Sequence, residues 1–172
     1  MPPASTLKRT PFTIGDIDGW LLNDGDFQME MTRLAKDVPC ETLVKALSLP
    51  TDASLLPSTF TPVLLRHNDA WVLIDTGVGE TDDATRGHLQ KHLAALGVNR
   101  HDIRNIILTH AHADHFEGLS LKNGAAAFPN ARIFIQQTEW DWATSDARLA
   151  TLDTARAQSV RNNLMRYADQ MT

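Results

Sequence analysis

Three histidines and one aspartate, His110, His112, Asp114 and His115, fall within six positions, one residue after the apolar run Ile106-Ile107-Leu108. In an extended chain, residues two apart point the same way, so His110 and His112 present two imidazoles to one point. The intervening Ala111 and Ala113 are too small to crowd an ion. Where the strand ends and the chain turns, Asp114 and His115 are aimed at a neighbouring point. Imidazole nitrogen and carboxylate oxygen suit zinc and similar divalent ions. Two such ions about 3.5–4 Å apart share a hydroxide and polarise one substrate oxygen together. The cluster thus offers a nucleophile at neutral pH without serine or cysteine.

The pattern around the cluster predicts an α/β domain. Phe12–Leu22 reads as two short strands about a Gly15-Asp16 turn, closed by the turn signal Asn23-Asp24-Gly25. From Asp26 to Pro62 the pattern is irregular and interrupted by prolines, with a short helix expected around Glu41–Leu47. Pro62–His67 and Ala70–Asp75 form two strands, and the continuous apolar run Trp71–Ile74 predicts burial on both faces. A helix is expected from about Asp82 to Leu96, ended by Gly97. Asn105–Thr109 and Arg132–Gln136 are further strands; Thr138 onward and Leu149–Met171 read as helical. His88 and His92 lie four apart on the expected helix and read as exposed, as do His67 and His101. Phe27, Met29 and Met31 alternate and lean toward the core; Trp140 and Trp142 are expected to pack.

The chain has 16 basic and 21 acidic residues, a balance that argues against a nucleic-acid surface. No apolar run is long enough to cross a bilayer, and Met1–Phe12 has no apolar segment of the secretory kind. The single cysteine, Cys40, excludes an internal disulfide framework and fits a reducing compartment. A cytoplasmic location is expected.

The His-x-His-x-Asp-His run of residues 110–115 resembles the hallmark of the metallo-β-lactamase-fold hydrolases, and Asp75-Thr76-Gly77 resembles an earlier Asp-Thr-Gly-like segment of that family. The resemblance implies an αββα sandwich with a two-metal centre at one edge. His110 and His112 would bind the first metal, and Asp114 and His115 the second, with Asp114 also counted as catalytic. The ions would be zinc, or manganese, iron or cobalt. Asp75 would hydrogen-bond and orient the ligand loop; read from the turn alone, it also caps the bend before Gly77. The opening hairpin, the irregular segment and the Phe128-Pro129-Asn130-Ala131 run look most like the lactonase and organophosphate-hydrolase branch. This implies a small-molecule ester, lactone or phosphoester substrate attacked by a metal-bound hydroxide.

The pattern departs from the family in two places. Glu117 stands where many members have glycine; it could sit at the mouth of the site and alter local charge, but reads better as an ordinary helix-start carboxylate. The residues after His115 include no histidine, although the family draws its remaining ligands from its second half. Glu139, Asp141, Asp146, Asp153 and Asp169 are the acidic candidates there. The expectation is one domain over residues 1–172 that represents the N-terminal half of the sandwich, with strand faces left uncovered. Such a chain is a partial hydrolase, a half-site completed by self-association, or a non-catalytic binding module.

Overall fold

The computed structural model describes residues 7–172, so the first half of the Met1–Phe12 segment lies outside the described residues. The chain divides into two compact units, one of residues up to Gly25 together with Phe60–Thr172, and one of Asp26–Thr59.

The larger unit is built on a six-stranded mixed sheet. β1 (Arg9–Ile14) and β2 (Ile17–Leu22) form the hairpin expected about Gly15 and Asp16. The sheet order is β1-β2-β5-β6-β7-β8, with β5 (Val63–His67), β6 (Ala70–Ile74), β7 (Ile103–Ile107) and β8 (Arg132–Phe134). β1, β2, β5 and β6 pair antiparallel in that order, whereas β6, β7 and β8 run parallel. Parallel neighbours require crossovers, and the first of these contains α3 (Leu89–Ala95).

Register explains where the core sits. Trp20, Leu64, Leu73, Ile106 and Ile133 form one row across five strands. Leu64, Leu73 and Ile106 are fully buried and Ile133 nearly so, each contributing about 1.5–3 kcal/mol relative to exposure. One residue along, Leu21, Val63, Ile74, Ile107 and Phe134 form a second apolar row on the opposite face. Its members are less covered, with Leu21 at 40% and Ile107 at 42% exposure. Val72 and Ile74 on this face are therefore only half-buried, and Trp71 is half-buried at the edge of the core, contrary to the burial on both faces predicted for this strand.

The expected helix over 82–96 is shorter than its apolar spacing suggests. Asp83 folds back to accept the Thr85 N–H (2.9 Å) and Arg86 Nε (2.9 Å), a side-chain turn that competes with helix. Gly87 then adopts φ +75°, and the helix begins only at Leu89. His88 and His92 are not exposed: they are 4% and 0% accessible, and His92 Nε2 pairs with the Asn23 carbonyl at 2.9 Å. His67 and His101 are exposed, as expected.

Asp24 is the buried anchor of this region. Its Oδ1 accepts the Leu89 N–H (2.6 Å) and its Oδ2 the Val78 N–H (2.9 Å), so one carboxylate holds the start of α3 and the loop after β6. Burial raises its pKa to about 6, against the lowering effect of backbone N–H groups from Val78, Leu89 and His88. Asp24→Ala is expected to destabilise the chain by about 2–4 kcal/mol, because two buried donors lose their acceptor while the cost of burying the charge is relieved. Urea unfolding at neutral pH checks this.

The C-terminal stretch breaks into α5 (Gln137–Thr144), α6 (Asp146–Leu149), α7 (Thr154–Asn163) and a final 3-10 segment (Met165–Gln170). Ser145 and Asp153 cap the second and third of these through Arg148 and Arg156 N–H groups. Tyr167 donates its hydroxyl to the Leu119 carbonyl (2.9 Å), tying the end of the chain to the core. Trp140 packs against that core, but Trp142 is exposed, with Arg148 stacked 4.5 Å from its ring centroid.

The smaller unit holds more order than the sequence pattern shows. β3 (Gly25–Glu30) pairs with β4 (Leu55–Phe60), and α1 (Met31–Leu34) and α2 (Cys40–Ala46) lie between them in sequence. β4 contains Pro57, a residue that an edge strand tolerates and a central strand does not. Met31 is fully buried, whereas Phe27 and Met29 are half-buried. Among the described residues no helix is long and apolar enough to cross a membrane.

Candidate metal centre

β7 ends at Ile107, and Leu108 makes the last ladder bond, donating its N–H to the Phe134 carbonyl (2.8 Å). The chain then turns through Thr109–His112 into α4 (Ala113–Phe116). His110 Nε2 lies 2.9 Å from His112 Nδ1, and the His110 and His115 ring centroids are 3.8 Å apart. His115 Nε2 lies 3.4 Å from Asp114 Oδ2. The four side chains thus gather as two donor pairs, with His112 exposed and the other three half-buried.

Asp75, at the end of β6, holds this loop. Its Oδ1 accepts the Thr109 N–H (2.8 Å), its Oδ2 the Thr109 hydroxyl (2.8 Å), and Oδ2 also takes the His115 Nδ1–H (2.8 Å). Asp75 sits at φ +58°, a left-handed conformation that aspartate tolerates better than most residues. The next residue continues the attachment: Thr76 donates both its N–H (2.8 Å) and its hydroxyl (2.9 Å) to the His115 carbonyl. Gly118 lies so close that a Cβ there would stand 1.9 Å from the Thr76 carbonyl oxygen.

The charges follow from this arrangement. Burial works against a charged His115, yet hydrogen bonds to Asp114 and Asp75 and their negative charges prevail, and its pKa is pushed up to about 9. The His115 hydrogen bond lowers the Asp114 pKa despite burial. Burial and the positive charges of His115 and His112 lower the His110 pKa. In the metal-free chain, the His115 contribution to stability is fully present below its ordinary pKa of 6.5 and is lost as pH rises through about 9. Urea midpoints measured in chelator should fall across that window, and Asp75→Asn should flatten the fall.

Other carboxylates do not join the donor pairs. Glu139 instead accepts the Ala111 N–H at 2.9 Å, Asp141 accepts from Gln137 (2.7 Å), and Asp153 caps α7. Glu117 is not a simple helix-start carboxylate: it takes the Ser159 hydroxyl at 2.5 Å, burial raises its pKa, and it lines an open cleft with Val78, Lys122, Asn163 and Arg166.

The donor set can be compared with what zinc requires. Ligands about 2.0–2.1 Å from a tetrahedral zinc stand about 3.3–3.4 Å from one another. The His115–Asp114 separation matches that edge, and the His110–His112 pair needs only a small opening. Donor type and spacing fit a divalent ion at each pair. The number is short: among the described residues no group of three or more His, Cys, Asp or Glu side chains is arranged to hold one.

Residues 61–121, which contain Asp75 and the whole histidine loop, match the model of the metallo-beta-lactamase superfamily. The "Probable metallo-hydrolase YqjP" of Bacillus subtilis (strain 168) is 49% identical over 53 residues, covering 31% of this chain and 16% of its own length. AidC, a dizinc quorum-quenching lactonase, superposes with a TM-score of 0.78 at 24% identity over 96% of this chain. The hydrolase AbOPH of the beta lactamase superfamily gives 0.81 at 22% identity over 97%, and a probable metal-dependent hydrolase from Staphylococcus aureus gives 0.74 at 23% over 94%. At these identities the likeness establishes the fold. The chain described here spans 60% of the length of each of those three structures.

The four clustered residues are recognisable in sequence by local spacing, and Asp75 by the resemblance of Asp75-Thr76-Gly77 to a family segment. The contacts of Asp24, Thr76 and Glu139 are not, because no local pattern points to the distant partner that each one holds. Gly118 had a faint signal, lying just beyond the histidine run.

Proposed function

We propose that this chain carries one part of the metal-binding set of a hydrolase acting on ester, lactone or phosphoester bonds. The observation that carries the reading is the convergence of His110 with His112 and of Asp114 with His115. His110 and His112 would hold one divalent ion and Asp114 and His115 a second, zinc being the first choice and manganese, iron or cobalt the others. Bound there, such ions supply Lewis-acid polarisation of a substrate oxygen and a nucleophile at neutral pH. The protein's own contribution is positional. Asp75 fixes the His115 ring through Nδ1 and leaves Nε2 facing Asp114, and a carboxylate on the far nitrogen makes an imidazole a stronger ligand. The resemblance in fold to a dizinc lactonase and to AbOPH supports a small-molecule substrate.

The test is hydrolysis of a homoserine lactone, a chromogenic ester and a phosphotriester by the full chain loaded with zinc. Turnover abolished by chelator and by His110→Ala supports the reading; turnover indifferent to both contradicts it. A second reading has its own observation, the lack of a three-donor group among the described residues. On that reading the chain is a non-catalytic module for binding or self-association, and it would hold little metal after purification.

A further inference from the structure

We propose that Glu139 is a positioning residue for the His110–His112 donor pair, acting through the single peptide unit that joins His110 to Ala111. The proposal rests on the metal-ligand reading of those two histidines. β8 lies parallel to β7, and α5 starts shortly after β8 ends. The first turn of α5 therefore stands beside the turn that follows β7. From that turn Glu139 extends Oε1 to the Ala111 N–H at 2.9 Å. The distance in sequence is 28 residues, so this contact is set by the sheet pairing rather than by local chain geometry.

The amides leaving β7 are held in succession. Leu108 donates to the Phe134 carbonyl, Thr109 to Asp75, and Ala111 to Glu139. Two carboxylates from different elements thus grip the loop on either side of His110. The Ala111 N–H belongs to the peptide plane between residues 110 and 111, and the torsions on either side of that plane set the direction of the His110 side chain relative to His112. Their facing nitrogens are 2.9 Å apart, so a modest rotation separates them. Ala111 is 8% accessible, which leaves its N–H little access to water as a substitute acceptor. A hydrogen bond to an ionised acceptor is among the stronger ones available to an amide.

The experiment is zinc binding by the full chain, measured by competition with a chromophoric chelator, together with exchange of the Ala111 amide in the metal-free chain by NMR. Glu139→Ala should weaken zinc binding by about 10–100-fold, the range seen for outer-sphere partners, and should speed Ala111 exchange. Glu139→Gln keeps a carbonyl acceptor in place and should restore both. In a His110→Ala/His112→Ala background, Glu139→Ala should leave residual zinc binding unchanged. Should Glu139→Ala fail to fold, Glu139→Asp replaces it: the shorter side chain withdraws the acceptor, so zinc binding should fall as for alanine. Zinc affinity that depends on His110 but is equal in the wild-type, alanine, aspartate and glutamine forms overturns the proposal. Zinc affinity insensitive to His110→Ala instead removes the ligand reading beneath it, a result distinguishable from the former.

Discussion

Asp75→Ala is expected to weaken zinc binding by the full chain by about 100-fold, the upper end of what loss of a ligand's hydrogen-bond partner costs. The reason is the number of attachments lost together. Asp75 accepts the Thr109 N–H and hydroxyl and the His115 Nδ1–H, so its removal loosens the backbone before His110 and frees the His115 ring. Alanine at φ +58° adds strain of about 1 kcal/mol. Asp75→Asn separates these effects, because asparagine tolerates the backbone and keeps an acceptor for Thr109 but lacks the charge facing His115. Its affinity should lie between the other two. Equal zinc affinity in all three forms would show that Asp75 does not orient the loop.

Gly118→Ala should cost about 3 kcal/mol of stability or more, a value typical of backbone-level overpacking. The added Cβ would meet the Thr76 carbonyl oxygen at 1.9 Å and the Thr76 carbonyl carbon at 2.8 Å. Both are backbone atoms, so no side-chain rotation relieves the contact. The segment must move away from Thr76, which donates twice to the His115 carbonyl. Stability and zinc affinity should therefore fall together. Denaturant unfolding and chelator competition on the same preparation check this; a fall in neither would mean that the close approach is unimportant to the site.

These two predictions illustrate which features were legible in the amino-acid order. The histidine loop was readable because its ligand types recur at a spacing of two after an apolar strand, a local pattern that needs no tertiary information. Asp75 was readable through the resemblance of Asp75-Thr76-Gly77 to a family segment at the end of an earlier strand. The strands of the main sheet were legible for the same reason, since Val63–Leu65 and Ile106–Leu108 are continuous apolar runs. What escaped depends on partners far along the chain. Nothing near Asp24 announces that it will hold amides of Val78 and Leu89, and Glu139 looks like any first-turn carboxylate. His88 and His92 read as solvent-facing because they are polar and helical in spacing, yet α3 turns them inward. The helix over 82–88 was over-read because leucine spacing outweighed the side-chain turn at Asp83. Prolines concealed β4, since a ribbon strand tolerates a residue that a central strand does not.

The proposed function requires that the four gathered side chains act as two cation-holding pairs. The most direct test is a zinc titration of the full chain and of a variant carrying His110→Ala, His112→Ala, Asp114→Ala and His115→Ala together, each shown to be folded. The account predicts that the wild-type chain binds zinc and that the fourfold variant loses that binding. Equal stoichiometry and affinity in the two would contradict it.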